Sequence, residues 1–151
     1  LKELCDYAEK RGVFLGLEPL NRFETDFINI CEDALKMVDD VGSDRLGVHL
    51  DTFHMHIEEK DSAAAIRAAG DKLMMLHTCE NDRGAPGTGQ IHWDEITKAI
   101  KEIGYDDYVV IESFTPDNEI IAKAASIWRQ TEKDAFTLAD KGIRFLKQNF
   151  G

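Results

Sequence analysis

Four times along this chain a short apolar run carries an acid or an imidazole at its end and gives way to a helical pattern. That repeat constrains the fold more than any other feature. The runs are Val13 to Glu18, Leu46 to Asp51, Leu73 to Glu80 with His77 inside it, and Tyr108 to Glu112. After the first, Asn29 with Glu32 three residues on predicts the cap of a helix whose Cys31, Ala34, Leu35 and Val38 share a face and which Gly42 ends. A helix is expected near Ser62 to Ala69, closed by Gly70, and another where Trp93, Ile96, Ile100 and Ile103 precede Gly104. Ahead of the first run, Leu1, Leu4, Cys5 and Ala8 stand at helical spacing before a stop at Arg11-Gly12. Beyond the last, helical patterns cover roughly Glu119 to Gln130 and Glu132 to Asn149. Strands alternating with helices make parallel βαβ units, and nearly continuous apolar strands predict a sheet covered on both faces. The fold class is α/β, and four such units amount to half of a (β/α)8 TIM barrel.

Alternation within the strands sorts the side chains. Successive residues point to opposite faces, so Glu18 shares a face with Gly16 and Phe14, Asp51 with His49, His77 with Met75, and Glu112 with Val110. Leu15, Leu17, Leu76 and Ile111 take the helix-covered side. Glu18, Asp51, His77 and Glu112 thus point inward at or near the carboxyl ends of successive strands, where barrel enzymes assemble their sites. Three acids and a histidine brought together without matching positive charge repel one another, and a divalent cation resolves the conflict. Mostly oxygen donors with one imidazole suit manganese, cobalt or magnesium better than a structural zinc.

Composition narrows the partners. A net charge of −11 over 151 residues repels the nucleic-acid backbone and favours neutral substrates and bound cations. No apolar run reaches membrane-spanning length and no charged leader opens the chain, so no membrane partner and a cytoplasmic location are expected. Cys5, Cys31 and Cys79 match neither a disulfide framework nor a zinc ribbon and are read as buried thiols. Gly84, Gly87 and Gly89 lack the Gly-Lys-Ser/Thr ending of a phosphate loop. Trp93 and Trp128 are read as core or interface residues, and His49 and His92 as packing or support. Because residue 1 is Leu and already falls within a helical pattern, residues 1–151 are expected to form one partial barrel domain whose amino-terminal half is absent.

The stretches Gly16 to Glu24 (GLEPLNRFE), Leu50 to Glu58 (LDTFHMHIE), His77 to Asn81 (HTCEN) with Arg83, Pro86 to Gly89, and Ile111 to Phe114 resemble the ketose 3-epimerases, within the xylose-isomerase-like barrel superfamily. These act on tagatose, psicose and L-ribulose, and the resemblance spans nearly the whole chain, matching the carboxyl-terminal half of that fold. It implies an isomerase that inverts C3 of a free ketose, with Glu18, Asp51, His77 and Glu112 binding Mn²⁺, with Co²⁺ or Mg²⁺ as alternatives. Glu18 and Glu112 would be the acid/base pair, and Glu24, His54 and Arg83 the residues holding the sugar around C1 and C2. His56 departs from relatives that carry asparagine there. A dimer or tetramer of identical chains is the implied assembly. Three other readings stand beside this one: an aldose-ketose or hydroxypyruvate isomerase of the same superfamily, an endonuclease-IV-like repair enzyme, and an inactive half-barrel that binds sugar or serves as a structural remnant.

Overall fold

The computed structural model describes residues 1–151. The four runs form four parallel strands lying side by side in chain order: β1 (Leu15–Leu17), β2 (Leu46–Asp51), β3 (Leu73–Thr78) and β4 (Val109–Ile111). Around them run α1 (Lys2–Arg11), α2 (Cys31–Val41), α3 (Thr52–Glu58), α4 (Ser62–Ala69), α5 (Trp93–Glu102), α6 (Glu119–Ala124) and α7 (Ala135–Phe150). The two inner strands are six residues long and the two edge strands three. An edge strand has a ladder on one side only, so fewer hydrogen bonds hold its ends in extended form. Strand register places Leu17 beside Val48, Asp51 beside His77, and His77 beside Val110. The row of Asp51, His77 and Val110 sets the level of the two inner-strand donors.

The core sits on one face of the sheet. Leu46, Val48, Leu50, Leu73 and Leu76 pack there against Ala34 and Val38 of α2, Ile66 of α4, and Ile96 and Ile100 of α5. Each fully buried aliphatic side chain of this kind contributes about 1.5–3 kcal/mol. The other face does not match the expectation of cover on both sides. It carries Gly16, which is exposed, and the half-buried His49, Met75 and Val110, a row too small and too polar to make a helix-packing surface.

Three local expectations change. Helix α2 begins at Cys31, and Asn29 does not cap it. The Asn29 amide turns back to donate to the Leu20 and Thr25 carbonyls at 2.6 and 3.0 Å. The cap comes from Glu59, whose Oε1 accepts the Cys31 N–H at 2.7 Å from another part of the chain. Helix α3 was not expected at all. Asp51 starts it by accepting the Phe53 N–H at 2.7 Å, so one residue closes a strand and opens a helix. The pattern over Glu119 to Gln130 yields a helix only to Ala124, because Ser126 takes a left-handed conformation (φ 56°), and α7 waits for its cap at Asp134. No helix is long and apolar enough to cross a membrane, and all three cysteines are buried and free.

Candidate metal centre

Glu18 lies one residue past β1, Asp51 at the end of β2, His77 on β3 and Glu112 one residue past β4. The structure brings all four together: one ligand atom from each lies within 4.8 Å of the others. Asp51 has no side-chain exposure, while His77, Glu18 and Glu112 retain 18, 26 and 31%. Glu18 Oε1 and His77 Nδ1 are buried without a hydrogen-bond partner, Nδ1 standing 3.3 Å from Glu112 Oε2 without completing a bond. Buried polar atoms left unpaired in this way mark a place for a further group. Three carboxylates and one imidazole fit a hard divalent ion, and the donor chemistry does not select among manganese, cobalt and magnesium.

Arg83 changes the electrostatic argument. It is buried rather than displayed on its loop, with Nη1 2.6 Å from Asp51 Oδ2 and 2.9 Å from Glu112 Oε2. The Phe53 and Phe114 rings lie 4.2 and 5.4 Å from its guanidinium carbon, and its backbone is left-handed at φ 62°. The acids are therefore not without a positive partner, and a cation is not the only way their repulsion is relieved. Even so the cluster stays strongly perturbed. Burial, then the charges of Asp51 and Glu112, push the Glu18 carboxyl up to about 7. Burial also raises Asp51, while His77 and Arg83 hold Glu112 well below the usual carboxylate range. His77 is raised, chiefly by Glu112.

His49 carries more of the site than packing. Its Nδ1 is 3.8 Å from Glu18 Oε2, its ring stands edge-on to His77 with centroids 4.0 Å apart, and Glu18, His49 and His77 form a second group of close donors. Burial and the neighbouring His77 push it down to about 4, so it is neutral at pH 7. The signal was present in the alternation that set His49 on the face of Asp51.

The residues expected to hold substrate form a second layer. His54 is buried, its Nε2 3.2 Å from Arg83 Nη2. Its Nδ1 accepts the Asn21 backbone N–H at 3.2 Å and lies 2.9 Å from Asn21 Nδ2, which also donates to Glu24 Oε1 at 2.8 Å. Glu24 is exposed and reaches His54 through Asn21, a buried residue that sequence reasoning does not single out. Glu80, part of the His77 to Asn81 stretch, has a structural role. It is fully buried and accepts hydrogen bonds from Gly87 N, Trp93 Nε1 and Ile91 N, tying down the glycine-rich loop beside Arg83. Trp93 is thus a core residue, whereas Trp128 is 74% exposed beside a cavity of about 330 Å³ that Arg83 also lines. His56 and His92 are exposed and away from the donor cluster.

The family described as xylose isomerase-like TIM barrel matches residues 1–148. The chain is 43% identical over 134 residues to a D-psicose 3-epimerase of Enterocloster bolteae, covering 89% of this chain and 44% of that protein. Its fold superimposes on the structure of an L-ribulose 3-epimerase with a TM-score of 0.93 at 39% identity, over 98% of this chain and 50% of that one. A D-allulose 3-epimerase from Methylomonas sp., crystallised with D-allulose, gives 0.92 at 36% identity over 98% and 52%. The chain spans about half the length of the relatives it matches.

Proposed function

This chain belongs to the xylose isomerase-like TIM barrel family, and from that premise we propose that it serves a metal-dependent ketose 3-epimerase, inverting C3 of a free ketose. The observation that supports this most is the meeting of Glu18, Asp51, His77 and Glu112 from four strand ends, with Glu18 Oε1 and His77 Nδ1 buried and unpaired. Those four residues would hold the divalent ion, Mn²⁺ first, with Co²⁺ or Mg²⁺ as alternatives. When bound, it would polarise the ketose carbonyl and offset the negative charge that develops on the neighbouring oxygens.

The residues divide the remaining work. Inversion at C3 requires a proton to leave one face of the carbon and a proton to return on the other, through a planar enediolate, with no net oxidation. Glu18 and Glu112 stand at the ends of the two edge strands of the sheet, which allows them to flank a sugar from opposite sides. One carboxylate takes the C3 proton and the other gives one back. Arg83 and His54 hold the carbonyl end and Glu24 binds a hydroxyl. The exposed Phe23, Phe27, Trp128 and Phe136 are consistent with a dimer or tetramer of identical chains, and a cytoplasmic location is part of the same proposal.

Turnover of fructose, tagatose and ribulose in deuterated water tests the reading, with elemental analysis of the purified protein. The expected result is about one divalent ion per chain and deuterium at C3 of the product. Glu112→Gln and Asp51→Asn would each lower the rate by roughly 10²–10⁴-fold. Label at C1 or C2 would make the protein an aldose-ketose isomerase. No exchange into any ketose would overturn the proposal.

A further inference from the structure

We infer that Asn21 is a positioning residue that fixes His54 as the tautomer with its proton on Nε2, so that His54 and Arg83 aim two donors at one ligand oxygen.

The argument begins at the Asn21 amide, whose orientation is decided by its neighbours. The Phe23 backbone N–H can only donate, and it meets Asn21 Oδ1 at 3.0 Å. Nδ2 therefore occupies the other position, where it donates to Glu24 Oε1 at 2.8 Å and lies 2.9 Å from His54 Nδ1. The Asn21 backbone N–H points at the same ring nitrogen from 3.2 Å. Two N–H groups of one residue thus face Nδ1, which must present its lone pair, and a neutral imidazole then carries its single proton on Nε2. The ring is neutral because burial, then the charge of Arg83, push it down to about 4.

The far side of the ring gives this its consequence. His54 Nε2 lies 3.2 Å from Arg83 Nη2, and a guanidinium has no acceptor to offer. With the proton on Nε2, both atoms are donors and neither satisfies the other. Both groups are buried, His54 at 3% and Arg83 at 5% exposure, so water does not readily take the acceptor's place. What completes such a pair is an oxygen carrying negative charge, or acquiring it during reaction. Asn21 touches neither that oxygen nor Arg83; it acts through the ring. This inference rests on the epimerase reading for the identity of the oxygen, a substrate oxygen at the carbonyl end, but not for the tautomer.

Long-range ¹H–¹⁵N correlation spectra of the Mg²⁺-loaded protein, with His54 assigned by its loss in His54→Phe, read the tautomer directly. The expected wild-type pattern is a protonated Nε2 and an unprotonated Nδ1. Asn21→Asp is nearly isosteric and still accepts the Phe23 N–H, but it presents a carboxylate to Nδ1. It should move His54 towards protonation at Nδ1 and lower kcat by roughly 10- to 100-fold, with a smaller change in KM. A wild-type ring protonated on Nδ1, or an unchanged ring pattern in Asn21→Asp, would overturn the inference. The wild-type spectrum decides the tautomer even if the variant does not fold. Absence of ketose turnover in a protein with the expected spectrum would count against the epimerase reading alone.

Discussion

Replacing Glu80 by glutamine should cost far more than the loss of one charge implies. The carboxylate is completely buried, and it receives Gly87 N and Trp93 Nε1 on Oε1, at 2.7 and 2.6 Å, and Ile91 N on Oε2 at 3.2 Å. A glutamine keeps only one acceptor oxygen. Its best orientation leaves that oxygen with Gly87 and Trp93 and turns the NH₂ towards Ile91, donor against donor. Stranding one buried N–H costs about 1–3 kcal/mol, and weakening two charge-assisted bonds adds about 1–2 kcal/mol. The total, about 2–5 kcal/mol, is a large share of the roughly 5–15 kcal/mol available to a domain. Trp93→Phe removes one donor while the carboxylate keeps its other two, and should cost less. Urea denaturation of wild type, both single variants and the double variant measures these values and their coupling. A loss below about 1 kcal/mol for Glu80→Gln, or additive effects of the two substitutions, would refute the claim that this carboxylate organises the loop. The loop matters to the site because Glu80 O accepts the Arg83 N–H at 2.9 Å and Glu80 N donates to Gly84 O at 3.1 Å.

Three further tests address the fold and the acids. Gly87 has φ 85°, and a Cβ there would press into the Phe145 ring, 2.9 Å from Cγ. Gly87→Ala should therefore destabilise the protein by about 2–5 kcal/mol in thermal melts, the sum of backbone strain and overpacking. Glu18 is raised from 4.5 to about 7 in the folded, metal-free protein. Between those pH values the native state holds a proton that the unfolded chain has lost, so metal-free stability should fall as pH rises, and Glu18→Gln should flatten the decline. Over the same window divalent-ion affinity should increase with pH, because binding releases that proton, and calorimetry in buffers of different ionisation enthalpy would register it.

The strand ends were legible because two periods overlap there. A period of two within each run gave the face, and the βα repeat gave the common level, which together placed Glu18, Asp51, His77 and Glu112 in one group. What stayed hidden depends on side-chain direction across long separations. The resemblance marks Arg83 as a sugar-holding residue, and only the fold shows it also reaching Asp51, 32 positions earlier. The cap on α2 comes from Glu59, 28 positions away, so the local Asn29–Glu32 spacing misled. Helix α3 went unseen because its residues, Thr52 to Glu58, read more strongly as a ligand-bearing motif than as a seven-residue helix. Asn21 shows nothing in sequence of the choice it makes for His54, because that choice depends on which N–H groups converge on one ring nitrogen.

The four donors are spread over positions 18 to 112, each on a different strand or just beyond it, and the strands are joined only by parallel pairing. Parallel pairings link distant parts of a chain and form slowly, since each needs a long crossover to close first. No subset of local structure assembles the cluster. A one-residue slip in the register of one inner strand would turn its donor to the helix side and leave the others incomplete. Ion capture is therefore a readout of correct strand registry, and a misregistered chain would be distinguished from a native one by its failure to retain the ion.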